Sequence, residues 1–94
     1  MQEQPVNPHA VRKDWEDRGF SCELWEDPPG REWNDFVHST DELVMVIEGN
    51  LEFEVNGRTH HPRPGEELFI PRGAKHSVRN IGSDRASWLF GYNS

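Results

Sequence analysis

The chain has 94 residues, enough for one domain with a small core, and four Trp, five Phe and one Tyr must supply much of its burial. With 17 acidic against 10 basic residues the formal charge is −7 and no basic cluster interrupts it, which argues against a nucleic-acid partner. The single cysteine, Cys22, excludes an internal disulfide framework; with no apolar run of membrane length and no signal-peptide-like start, the expectation is a cytoplasmic protein with no membrane partner.

Residues 1–13 are polar, contain Pro5 and Pro8 and show no periodicity, so they are expected to form a loose N-terminal segment ahead of a single domain over residues 14–94. Phe20 to Trp25 reads as a first strand, broken by Asp27-Pro28-Pro29-Gly30, and Trp33 to His38 as a second. Leu43-Val44-Met45-Val46-Ile47 is apolar on both parities and β-branched, the pattern of a strand buried on both faces. Leu51 to Val55 alternates apolar and acidic residues, and Asn56-Gly57 then marks a tight hairpin returning through Arg58 to His61. Leu68 to Ile70, His76 to Ile81 and Ala86 to Tyr92 complete the set, separated by Pro71-Arg72-Gly73 and Gly82-Ser83-Asp84. Many short strands with frequent turns and no convincing helix predict an all-β fold, an antiparallel sandwich or barrel. A strand apolar on both faces also suggests that one face is covered by pairing, with Trp25 and Trp33 at the contact of a homodimer.

Gly65, Pro71, Gly73, His76 and Asn80 stand at every fixed position of the second motif of the cupin superfamily, and Gly30, His38, Glu42 and Gly49 fall in register with its first. The chain therefore resembles the small bacterial-type cupins, single-domain antiparallel jelly-roll barrels, over Gly30 to Asn80. The resemblance implies one bound divalent metal (Fe, Mn, Ni or Zn) held by His38, Glu42 and His76. Phe36 occupies the place of the family's remaining histidine, and members lacking part of the ligand set can be metal-free.

The residues themselves fit such a centre. Four residues of straight strand cover roughly 13 Å, so Ser39-Thr40-Asp41 must bend the chain if His38 and Glu42 are to meet. Beyond the bend Glu42, Val44 and Val46 share one face, and His76 and Val78 share a face of a later strand. Two imidazoles and a carboxylate suit zinc or non-haem iron with open positions, and ligand type alone does not choose among first-row metals. Asn34 or Asp35 would be substitute oxygen donors, and Asp41 an alternative to Glu42. The bland alternative has His76 satisfying backbone groups and Glu42 pairing with an arginine such as Arg79. Phe36, Val44, Val46, Val78, Trp88 and Phe90 are expected to wall a pocket above the site. Cys22 reads as an inert core thiol.

Two readings of function follow. In the first, the metal acts as a Lewis acid or in O₂ activation on a small molecule in the barrel, with oxygenase, isomerase or lyase chemistry all compatible. In the second, the domain is a non-enzymatic module, with or without a metal, that binds or senses a small ligand.

Overall fold

The hydrophobic alternation of the chain resolves into eight strands and one helix in the computed structural model, which describes residues 6–93. In chain order these are α1 (Pro8–Asp17), β1 (Glu23–Asp27), β2 (Glu32–Phe36), β3 (Glu42–Glu48), β4 (Leu51–Val55), β5 (Arg58–His60), β6 (Glu67–Ile70), β7 (His76–Asn80) and β8 (Ala86–Tyr92). The strands form two four-stranded sheets, ordered β1-β8-β3-β6 and β2-β7-β4-β5, with every pairing antiparallel. This is a small jelly roll. Between the sheets lie Val44, Val46, Leu51, Phe53, Ile70, Val78 and Trp88, all buried.

The Asn56-Gly57 hairpin forms as its residues require. Asn56 at φ 50° and Gly57 at φ 82° both take the left-handed conformation of a type I′ turn, and β4 and β5 pair from Val55–Arg58 outward. Strand β3 is buried from Glu42 to Val46 on both parities. Its inner face meets the core between the sheets, while Leu43 and Met45 face outward.

That outer face carries the main departure from the sequence reading. Residues 8–13, expected to be loose, belong to α1, and Trp15 from this helix is fully buried against Leu43, Met45, Leu89 and Cys22. The helix, within the same chain, covers the second apolar face of β3. Residues 1–5 of the expected loose segment lie outside the described residues. A local signal for the helix was present: Asn7 caps it, accepting from the His9 and Ala10 amides at 3.0 and 3.3 Å, and Pro8 occupies the first turn. Val11 and Trp15, four residues apart, supply the apolar stripe. The helix is then clamped to the start of β6. Arg18 donates to both oxygens of Glu67 at 2.8 Å, and Trp15 Nε1 donates to Glu67 Oε1 at 3.0 Å. The Arg18 guanidinium accordingly holds the Glu67 carboxyl below its usual range. Cys22 is 5% exposed beneath the same helix, and burial pushes its thiol pKa up, so it stays protonated and unreactive.

Trp15→Ala should therefore destabilise the whole domain by about 3–5 kcal/mol in urea unfolding, through lost burial and the cavity left behind. A loss below about 1 kcal/mol would show that α1 docks too weakly to belong to the cooperative unit.

Candidate metal centre

His38, Glu42 and His76 reach one point because two turns are tied together. Residues Ser39 and Thr40 form a bend. Asp41 locks that bend: its Oδ1 accepts the Arg72 amide at 2.8 Å, and its own amide donates to Asn93 Oδ1 at 3.0 Å. On the other side, Pro71 to Ala74 make a turn closed by Ala74 N–H to Pro71 carbonyl, with Gly73 at φ 78° where a side chain would be strained. The Gly73 amide donates to the His38 carbonyl at 2.9 Å, joining the Pro-x-Gly turn to the His38 segment. Glu42 opens β3 and His76 opens β7, each pointing inward.

The resulting cluster is tight. One donor atom from each of the three residues lies within 4.8 Å of the other two. Glu42 Oε1 is 3.2 Å from His76 Nε2 and 3.8 Å from His38 Nε2, and the two imidazole centroids are 5.0 Å apart. Glu42 and His76 are each 4% exposed, whereas His38 is half-buried. His76 Nδ1 lies 3.0 Å from the Ala74 carbonyl, which can only accept, so that contact assigns the ring proton to Nδ1. Nε2 of a neutral His76 then carries a lone pair towards the carboxylate. Although the separation is that of an ion pair, the geometry is not that of a hydrogen bond, and Glu42 Oε1 has no hydrogen-bond partner among the described residues. Two lone-pair donors facing each other in a buried site require a positive charge between them, either a proton or a metal ion. The donor set, nitrogen, nitrogen and carboxylate oxygen, is one that first-row divalent metals accept. The residues fit a metal.

Without a metal, a proton on His76 would fill that role. Burial, the largest influence on His76, opposes its charge, but the Glu42 carboxylate and the Ala74 carbonyl together outweigh burial and raise its pKa above the ordinary 6.5. Burial and the nearby Glu42 charge push Tyr92 up to about 12, so its hydroxyl stays protonated; it stands 3.4 Å from His38 Nε2, a loose contact.

Above the cluster opens a cavity of about 210 Å³, smaller than the ~300–1,000 Å³ of most ligand pockets but enough for a small molecule. Phe36, Val78, Trp88 and Phe90 line it, with His38, Glu42 and His76. Val44 and Val46 do not: both are fully buried in the core between the sheets, on the expected face but below the cavity floor. Trp25 and Trp33, expected at a subunit contact, also line the cavity, as does Tyr92. Phe36 arrives there through a β-bulge. Trp33 pairs with Val78 and Phe36 with His76, so three steps on β2 match two on β7, and Asp35 takes φ 61° with its amide donating to Ser77 Oγ at 3.0 Å. The extra residue turns Trp33 and Phe36 to the same side. The Phe36 ring stands 6.1 Å from His38, nearly parallel, and 6.2 Å from His76.

The substitute donors are engaged elsewhere. Asp35 faces Lys75 at 3.6 Å with most of its side chain exposed, and Asp41 serves the bend. Arg79 pairs with Glu52 and Glu54 of the neighbouring β4 at 2.9 and 3.1 Å, whereas Glu42 belongs to β3 in the other sheet. Asn80, the last motif residue, is structural: its amide donates to the Asp27 and Asp84 carbonyls at 3.1 and 3.0 Å. Sequence reasoning missed Asp27, a buried carboxylate that accepts the indole N–H of Trp25, Trp33 and Trp88, each at 3.0 Å.

A jelly-roll domain with a His/Glu/His cluster at the mouth of an aromatic cavity defines a class of small β-barrel domains with a candidate metal centre. The Cupin domain family model matches residues 23–92, and the chain belongs to that family. It is similar to polyketide synthase CurC of Streptomyces cyaneus, 35% identical over 63 residues that make up 66% of this chain and 41% of that protein. The tetracenomycin polyketide synthase protein TcmJ of Streptomyces glaucescens is 33% identical over 63 residues, 66% of this chain and 42% of that one. The chain thus spans less than half the length of these curated relatives. Among solved structures, an oxalate oxidase in complex with the substrate analogue glycolate superposes with a TM-score of 0.74 at 28% identity, covering 82% of this chain and 43% of that one. A cupin 2 domain-containing protein from Halorhodospira halophila, at 23% identity and a TM-score of 0.74 over 81% of this chain and 53% of its own, shows the shared fold.

Phe36→His places a nitrogen donor opposite His76 and should tighten Zn²⁺ or Ni²⁺ binding by about tenfold or more in competition titrations; unchanged affinity would mean that residue 36 does not face the ion. The raised pKa of His76 fixes the sign of a second effect. Its charged form stabilises the metal-free fold below the unfolded value, and that contribution disappears as pH rises through the folded value. The stability advantage of metal-free wild type over His76→Gln in urea should therefore shrink from about pH 5 to about pH 8. Metal affinity should rise over the same range, because the imidazoles must be free of protons to ligate.

Proposed function

We propose that this cupin binds one divalent first-row metal through His38, Glu42 and His76 and uses it on a small molecule held in the aromatic cavity. The observation that carries this reading is the Glu42 oxygen facing two imidazole nitrogens with no hydrogen-bond partner among the described residues. When bound, the ion supplies Lewis-acid polarisation of a substrate oxygen or a site for O₂ chemistry, which leaves oxygenase, isomerase and lyase reactions as the candidate classes. The chain's own residues do the rest. Phe36 and Val78 with the cavity aromatics exclude water from the reacting group, and His76 is held in one tautomer by Ala74. Tyr92, protonated and beside His38, is placed to donate a hydrogen bond to a substrate oxygen. Likeness to polyketide synthase proteins and to an oxalate oxidase supports a carbon compound bearing oxygen as the substrate. A single buried cysteine without a disulfide supports the cytoplasm as its location.

Phe36 favours a second reading, a non-enzymatic ligand-binding module with or without a metal, because an aromatic ring stacked on His38 stands where the resemblance implies a fourth ligand. Water-proton relaxation of the Mn²⁺-loaded protein separates the two. Enhancement proportional to bound Mn²⁺ is expected, since three protein ligands leave coordination positions for exchangeable water. Failure to load Mn²⁺, or loading without enhancement, would favour the binding module.

A further inference from the structure

The end of the cavity away from the imidazoles is built on Asp27. Its side chain is 1% exposed and does not line the cavity. Oδ1 accepts from Trp25 and Trp33, and Oδ2 accepts from Trp88. Among the described residues no ion pair includes Asp27, so three indole N–H groups are its whole side-chain compensation. These indoles come from β1, β2 and β8, and one carboxylate holds their nitrogen edges together. Trp25 and Trp33 meet edge to face with centroids 6.1 Å apart, and Trp88 continues to Phe90 at 5.4 Å.

The chemistry offered to a ligand here is narrow. Each indole N–H already serves Asp27, so these rings present π surface and no donor. An anion would meet no donor and a buried carboxylate behind the rings. A hydroxyl, amide or primary ammonium would leave its water partners without replacements. A cation with no N–H to satisfy loses nothing of that kind, and the negative faces of tryptophans attract it. Hydrogen bonding to an anion enriches those faces further. Among the described residues no Lys or Arg lines the cavity to compete. Trp33 already engages one cation, Arg31, whose guanidinium carbon lies 5.2 Å from the ring centroid without being part of the cavity wall.

We propose that this end of the cavity receives a quaternary ammonium group, and that Asp27 is the positioning residue that assembles the indole cage for it. The inference deepens the reading of the cavity as a ligand site and is independent of the metal. On that reading the substrate is a two-ended molecule, with an oxygen towards His38, Glu42 and His76 and an onium group among the tryptophans.

The test is a tryptophan-fluorescence titration of the metal-free protein, at physiological salt to screen the general acidity of the chain. The probes are choline and its uncharged carbon isostere, in which a tert-butyl group replaces trimethylammonium. Choline should give a saturable change and bind about tenfold or more tightly than the isostere. Trp25→Leu, a change at a partly exposed ring, should narrow that ratio, and Asp27→Asn should narrow it as well. Equal or tighter binding of the isostere, or no saturable response to choline, would overturn the proposed ligand class. If Asp27→Asn weakens both probes alike, the carboxylate is a structural support only and its assigned role fails. Because the protein carries no metal in this titration, failure of the metal reading would leave the result intact.

Discussion

Everything chemical in this molecule turns on one buried carboxylate oxygen left facing two imidazoles. An unsatisfied polar group in a folded interior costs about 1–3 kcal/mol, and a charged one costs more. A 94-residue domain has little stability to spare for such a cost unless a cation resolves it. His76 cannot resolve it as a neutral base, because its proton is committed to the Ala74 carbonyl. The site is therefore biased towards positive charge by its own backbone. Without a metal a proton would serve, and a divalent ion would displace that proton while engaging His38 as well.

The fold serves this arrangement by latching two sequence-distant turns. Gly73 donates to His38, and Arg72 donates to Asp41, so the bend before β3 and the turn before β7 move as one unit. The sheets then aim Glu42 and His76 inward from opposite walls. At the far end of the same cavity Asp27 plays a parallel part with three indoles. Two buried carboxylates, one offered to an ion and one satisfied by aromatic N–H groups, divide the cavity into chemically different halves.

Much of this was legible in the residues, and the parts that were not share a cause. Period-two alternation and turn chemistry revealed the strands, the Asn56-Gly57 hairpin and the two-faced burial of β3. The cupin motifs pointed to His38, Glu42 and His76. Parity reports which face a residue takes but not its height in the barrel, so Val44 and Val46 were placed in the pocket wall and proved to be core. The bulge at Asp35 breaks parity itself, and no local sequence signal distinguishes an aspartate at φ 61° from one in a regular strand. Asp27 escaped notice because it reads as the first residue of the Asp27-Pro28-Pro29-Gly30 break, and its partner Trp88 lies 61 residues away. Helix α1 was missed for a different reason: ten residues, most of them polar, with Val11 and Trp15 as the only large apolar side chains carry little periodicity, although Asn7-Pro8 is a helix-start signature. That helix also covers the face for which a second subunit had been invoked.

The most direct measurement is elemental analysis of untagged protein purified without chelator, alongside Glu42→Gln. The account predicts about one equivalent of a first-row divalent metal in the native protein, retained or restored on reconstitution, and its loss in a folded Glu42→Gln variant. A native protein that takes up no Fe²⁺, Mn²⁺, Ni²⁺ or Zn²⁺, or a variant that holds a full equivalent, would contradict it.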